Sequence, residues 1–103
     1  MICIVIPGFP LPRGLNSLAA DLLVRLSAGY PDVPPDMWWF NPPVRLASGA
    51  NPPATEIRET HVGQSWQRWS RHFSQGQWRS GVDCLETFFG LIQRELQKEG
   101  GRS

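Results

Sequence analysis

The chain has 103 residues, of which 41% are hydrophobic and 18% are charged, a composition typical of one globular domain. Ten Lys and Arg residues oppose nine Asp and Glu residues, so the formal net charge is only +1. Binding to a nucleic acid backbone requires a concentrated basic surface, and this charge balance argues against nucleic acid as the main partner.

The two cysteines, Cys3 and Cys84, are too few for a disulfide framework, and no metal-binding spacing of Cys and His is present. The apolar start of the chain is interrupted by Pro7-Gly8, lacks a basic leading region and is too short to cross a membrane. We therefore expect a reduced cytoplasmic protein with no membrane contact, no metal and no other cofactor.

The first half of the chain predicts three strands. A run of β-branched residues predicts a strand over Ile2–Ile6 that ends at Pro7-Gly8, followed by a connection over Phe9–Gly14. Alternating apolar residues predict a half-buried strand over Leu18–Leu26. A third, very apolar strand is predicted over Met37–Phe40.

The second half predicts a loop and then a helix. Ala47–Thr55 is typical of a loop, while Glu56–Gln77 is harder to assign. Three aromatic residues of the latter segment are spaced as on one face of a short helical turn: Trp66, Trp69 and Phe73. A helix is predicted over Asp83–Lys98 because apolar residues recur there at steps of three and four. The members of this stripe are Val82, Leu85, Phe89, Ile92 and Leu96.

This order of elements predicts an α+β fold in which an antiparallel β-meander packs against one long C-terminal helix. Trp38 and Trp39 are adjacent in the third strand and must face opposite sides of the sheet. Only one of them can lie under the helix, so we expect the other at a surface, at an interface or beneath the loop.

The crossing between the second and third strands carries the motif Tyr30-Pro31-x-x-Pro34-Pro35. A second set follows in order: Gly63, Trp66, Arg68, Trp69, Ser70, Arg71, His72, Trp78, Gly81, Asp83 and Leu85. The motif resembles the ubiquitin-conjugating superfamily, and the second set is most similar to a bacterial branch, prokaryotic family E. The resemblance covers nearly the whole chain and implies the core of that fold, in which a meander, this crossing, an active-site loop and a helix follow one another.

The chain departs from the superfamily pattern in two places. The His-Pro-Asn motif followed by Gly and a nucleophilic Cys is absent, since Asn51-Pro52 matches it only in part. Alignment places the nucleophile near Ser65 or Trp66. Family members also carry a helix and a strand before the equivalent of Ile2. The resemblance therefore implies a single domain over residues 1–103, without that helix and strand and without the usual catalytic cysteine.

Thioester chemistry needs an accessible sulfur that ionises. Cys3 is predicted inside a strand, in or beside the core. Cys84 is predicted near a helix N-terminus, which favours a thiolate, so it is the only thiol with a case for reactivity. Because free cysteines are among the most buried residues, we expect both to be structural.

His61, His72 and Ser70 are the candidates for catalysis, because the resemblance places them in the active-site region. A His there could act as a general base or stabilise an oxyanion, and a Ser activated by a His could accept an acyl group. Ser65 is a second such Ser. The carboxylates available to orient a His are Glu56, Glu59 and Asp83. The alternative roles are a loop-organising His72 and a solvent-exposed His61.

The candidates for partner binding are Trp66, Arg68, Trp69, Arg71 and Trp78. Exposed tryptophans commonly anchor protein partners. The interleaved Arg and Trp residues could instead stack nucleic acid bases or form cation–π contacts within the fold, and the sequence leaves both interpretations open.

The resemblance implies an atypical carrier or a catalytically inert adaptor in a bacterial ubiquitin-like modification system. Its partners would be a ubiquitin-like protein and an activating enzyme, and any activity would be transfer of the ubiquitin-like protein. The alternative is a non-enzymatic interaction module that reuses the fold. We expect the functional surface in the segment Gly63–Trp78, and an open sheet edge with self-association at Ile2–Ile6.

Overall fold

The computed structural model describes residues 1–72 and 77–102 of the protein. Within these residues, five strands precede one helix. In chain order the elements are β1 (Ile2–Pro10), β2 (Ala19–Leu26), β3 (Trp38–Asn41), β4 (Arg58–His61), β5 (Gln64–Trp69) and α1 (Leu85–Gly100).

All five strands form one antiparallel sheet in the order β1-β2-β3-β5-β4. The first three strands form the predicted meander, in which Leu22 pairs with Ile6 on one side and with Phe40 on the other. β4 and β5 form a hairpin in which β5 lies beside β3, so β4 becomes the second edge of the sheet. With α1 packed on one face, this arrangement confirms the predicted α+β class.

β1 continues past Pro7-Gly8, the pair that was predicted to end it. The pairing register shifts between Ile6 and Phe9, which marks a bulge. Gly8 has a φ of 63° there, and its N–H donates a hydrogen bond to Asp21 Oδ1 at 3.0 Å. The predicted end was wrong because the bulge accommodates both residues and the strand resumes after them.

The segment between β3 and α1 departs most from the sequence prediction. Part of the segment expected to form a loop and a short helical turn forms β4 and β5 instead. Trp66 and Trp69 belong to β5, where a three-residue spacing places them on opposite faces of the sheet. The helical-turn prediction was therefore wrong for these two residues, and its third member, Phe73, lies outside the described residues.

The sheet face towards α1 carries the main hydrophobic core. Its buried strand residues are Phe9, Ala20, Leu22, Val24, Trp38, Phe40 and Trp69. From the helix, Phe88, Ile92 and Leu96 are buried against them. The predicted stripe is confirmed for Ile92 and Leu96, but Val82 precedes the helix and is 61% exposed.

The opposite face, here called the outer face, holds a smaller core of Leu23, Trp39 and Trp66. Trp38 lies in the helix-side core, so the prediction that Trp38 and Trp39 face opposite sides is confirmed. Trp39 is only 1% exposed, although no helix of the described chain packs against this face. Polar side chains cover it instead, among them Arg25, whose guanidinium carbon lies 5.3 Å from the ring centre.

Two hydrogen bonds attach the entry of α1 to the proline-rich crossing. Tyr30 Oη accepts a hydrogen bond from the Leu85 N–H at 2.8 Å. Trp78 Nε1 donates to the Pro31 carbonyl at 2.9 Å. The crossing therefore fixes where the helix begins relative to the sheet.

Candidate functional site

Glu59 of β4 is the centre of a polar cluster on the outer face. Its Oε1 accepts a hydrogen bond from Trp39 Nε1 at 2.9 Å and lies 3.0 Å from His61 Nε2. Its Oε2 accepts a hydrogen bond from Arg68 Nη1 at 2.8 Å. These four residues, called the Glu59 cluster below, connect β4 to both β3 and β5.

The surroundings of Glu59 act on its pKa in opposite directions. Partial burial alone would raise the pKa of this carboxyl. Hydrogen bonds from His61, Trp39 and Arg68, together with the positive charge of Arg68, outweigh burial and hold the pKa below its ordinary value of 4.5. The carboxylate is therefore ionised at neutral pH.

His61 lies at the end of β4, and its side chain is only 17% exposed, so the alternative of a solvent-exposed loop residue was wrong. Its ring packs edge-on against Trp39, with centroids 5.1 Å apart. Its carbonyl accepts a hydrogen bond from Trp66 Nε1 at 2.9 Å. These contacts give His61 a structural role, and catalysis by His61 stays a prediction.

His72 forms an exposed pair with Asp36. Its Nδ1 lies 2.7 Å from Asp36 Oδ1, and both side chains are more than half exposed. A carboxylate at Nδ1 orients the imidazole and favours the tautomer in which Nε2 is the acceptor. Asp36 was not among the sequence candidates, and its position directly after Pro34-Pro35 was the one available signal.

The backbone around this pair is strained. The Met37 N–H donates to the Arg71 carbonyl at 3.2 Å, which extends the pairing of β3 with β5 towards Asp36 and His72. Met37 has a φ of 62°, in the left-handed region that is unfavourable for a bulky residue. Backbone strain of this kind clusters at functional sites, and here it adjoins an exposed His–Asp pair, so we take the Asp36–His72 surface as the candidate site.

Ser70 does not form a nucleophile arrangement with either histidine. Its Oγ accepts a hydrogen bond from Arg68 Nε at 3.0 Å, and its N–H donates to the Ala54 carbonyl at 3.0 Å. The hydrogen bonds of the His61 and His72 rings go to carboxylates. Among the described residues the structure therefore does not assemble the Ser–His pair that acyl transfer to Ser70 would need.

Arg71 fastens the candidate segment to α1. Its Nε lies 3.3 Å from Glu95 Oε1, and its Nη2 lies 3.5 Å from Glu99 Oε1. Its guanidinium carbon lies 4.9 Å from the Trp69 ring centre, which confirms the interpretation of cation–π packing within the fold. With its side chain only 16% exposed, Arg71 holds the segment in place and offers little surface to a partner.

The tryptophans predicted to bind partners are mainly core residues. Trp66 is buried on the outer face and Trp69 on the helix side, so neither ring is available at the surface of this structure. Trp78 is half-buried and lines a cleft of about 410 Å³ beside α1. His72 and Leu91 line a second cleft of about 210 Å³. The accessible part of the candidate set is therefore His72, Trp78 and the partly exposed Arg68.

Both cysteines are exposed, so the burial on which the expectation of two structural cysteines rested is found for neither. Cys3 lies in β1 as predicted, but the expectation that it lies in or beside the core was wrong, because β1 is an edge strand and the Cys3 side chain is exposed. Cys84 is the N-cap of α1, and its N–H donates to Thr87 Oγ1 at 2.7 Å. Among the described residues, no three His, Cys, Asp or Glu side chains gather in a group that could hold a metal ion.

A family model described as "Prokaryotic E2 family E" matches residues 1–99 of the chain. The chain belongs to this family. No curated protein and no solved structure gives a significant match. In the described part of this family E protein, no helix is both long enough and apolar enough to cross a membrane.

Proposed function

We propose that this family E protein is a catalytically inert adaptor of a bacterial ubiquitin-like modification system, which binds its partners without forming a thioester. The supporting observation is the local structure at the position where the resemblance placed the nucleophile, near Ser65 or Trp66. Ser65 pairs with Thr60 across the hairpin, and Trp66 is buried with its Nε1 bonded to the His61 carbonyl. A paired strand with no sulfur at either position is unsuited to thioester chemistry.

The implied partners are a ubiquitin-like protein and an activating enzyme in the cytoplasm. We expect contact at the surface of His72 and Asp36, because both side chains are exposed and a hydrogen bond between the neighbouring Met37 and Arg71 joins the two segments that carry them. The adjacent cleft adds the apolar Leu91 and the acidic Glu95, so a partner would find polar and apolar contacts side by side.

Titration calorimetry with the cognate ubiquitin-like protein and activating enzyme tests this function. We expect the wild-type chain to bind at least one of them, and His72→Ala and Asp36→Asn to weaken that binding by roughly tenfold. Lys98→Ala, on the exposed last turn of α1, is the control and should bind like the wild type. A folded wild-type chain that binds neither protein would contradict the adaptor role.

An atypical carrier is the second candidate, and the contact between His72 and Asp36 favours it, because an imidazole oriented by a carboxylate can accept a proton from a nucleophile. Because Ser70 does not contact His72 in this structure, the carrier requires a rearrangement that brings the Ser70 hydroxyl to His72. The hydroxyl would then attack the activating enzyme's thioester carbonyl, an ester would form, and the leaving thiolate would take the proton. An adduct of one modifier that resists reducing agents and is lost in Ser70→Ala would support the carrier over the inert adaptor.

A further inference from the structure

The two edges of the sheet differ in how well they are protected against pairing with another chain. β4 is four residues long and carries the charged Arg58 and Glu59. β1, at the other edge, is nine residues long and has no charged side chain. Short, charged edges resist pairing, whereas long, uncharged, apolar edges promote it. Because Pro7, Pro10 and the bulge protect the second half of β1, its first half is the unprotected, open sheet edge among the described residues.

Ile2–Ile6 is the part of β1 that is free to pair. It runs in regular register along β2, and the register shift after Ile6 interrupts the strand beyond it. Ile2 is 64% exposed and Val5 is 39% exposed. Ile6 and Leu26 pack against the helix-side core, so an apolar strip extends from that core to the edge and ends in solvent.

We propose that a second copy of the chain covers this edge by antiparallel β1–β1 pairing about a two-fold axis at Ile4. An identical strand is the favoured occupant because it is uncharged over the same stretch and has the same open edge to cover. An axis at Ile4 gives the one two-fold antiparallel register that pairs all of Ile2–Ile6. A closed pair of this kind satisfies both open edges at once.

The register makes a specific prediction for Cys3, which is exposed in β1. Cys3 would lie opposite Val5 of the second copy, so the two Cys3 residues become diagonal neighbours roughly 7–8 Å apart. This separation is too long for a direct disulfide without backbone movement. A short bifunctional thiol reagent can bridge it.

Sedimentation and thiol cross-linking of the Cys84→Ser chain test the dimer. We expect a dimer that a bismaleimide with a spacer of about 8 Å links through Cys3. Val5→Lys places a charge on the open edge and should give a monomer that is not linked. Thr60→Lys places the same charge on β4 and should leave both the dimer and the link intact.

A chain that remains monomeric at the highest concentration at which it stays in solution would overturn the proposal. That result would also overturn it if a different protein pairs with the edge. A dimer lost in Thr60→Lys but kept in Val5→Lys would overturn it as well. Should Val5→Lys fail to fold, sedimentation and cross-linking of the Cys84→Ser chain alone decide whether the proposal holds. A dimer without the Cys3 link would then overturn the register.

Discussion

The outer face shows what a single carboxylate does for this fold. Glu59 binds Trp39, His61 and Arg68 at once, and these contacts help to keep Trp39 buried without a helix above it. Long polar side chains can cover apolar surface while their charged ends stay at the solvent boundary. The Glu59 cluster therefore covers part of a sheet face against which no helix of the described chain packs.

Replacing Glu59 with Gln should destabilise the protein by about 1–2 kcal/mol at neutral pH, because a neutral amide loses the charge assistance of these bonds. The folded-state pKa of Glu59 is lowered, so its stabilisation is present above the unfolded pKa and is lost as the pH falls through the folded pKa. The difference between wild type and Glu59→Gln in urea-unfolding free energy should therefore shrink in acid. Glu56→Gln, an exposed neighbour, is the control, and equal losses in both variants would contradict the role of the cluster.

His72→Ala should change the free energy of unfolding by less than about 0.5 kcal/mol, because the His72–Asp36 pair is mostly exposed and such pairs contribute little. Thermal melting measured beside the binding assay checks this. If His72 organises its segment instead, the melting temperature will fall and binding will decline only in proportion to the folded fraction. If neither the melting temperature nor the binding changes, the proposal that this surface is functional is wrong.

The sequence pointed to both histidines and to Glu59, the partner of His61, as one of three available carboxylates, but it did not point to Asp36, the partner of His72. His72 and Asp36 are 36 positions apart, and only the pairing of neighbouring strands brings them together. Glu59 and His61 are two residues apart, so they share a face once β4 is recognised as a strand. The choice among the three carboxylates therefore stayed open at the sequence level, because β4 was not recognised as a strand.

The β4–β5 hairpin is the element that the sequence did not predict, and its turn explains why. Val62-Gly63 connects the paired His61 and Gln64, with φ values of 46° and 77°. Two-residue turns with both φ values positive favour Asn-Gly or Asp-Gly, and Val in the first position removes that signal. α1 was predictable because the spacing of its own apolar residues specifies it.

Val62→Asn should stabilise the protein by about 1 kcal/mol, because Asn tolerates a left-handed backbone far better than a β-branched residue does. The Val62 side chain is 64% exposed, so little packing is lost. Urea unfolding checks the gain. Val33→Asn, a half-exposed Val outside the left-handed region, is the matched control. A gain no larger than that of the control would contradict the strain at Val62.

In the whole molecule, the two sheet faces are covered in different ways and the candidate surfaces lie at different places. α1 covers the helix side, and the Glu59 cluster covers part of the outer face. The α+β class followed from the order of elements, but the position of β5 between β3 and β4 did not, because it depends on pairings between distant residues. The surface of His72 and Asp36 and the edge of β1 remain separate candidates, for a modification partner and for a second copy.

The central claim is that this family E protein works without a thioester. Its most direct test is the intact mass of the chain after incubation with ATP, the cognate activating enzyme and the ubiquitin-like protein. We predict no adduct that reducing agents remove, and unchanged partner binding by the Cys3→Ala, Cys84→Ala double variant, since both cysteines lie outside β4 and β5. An adduct on the wild-type chain that reducing agents remove, and that is lost in a folded Cys84→Ser variant, would contradict the account.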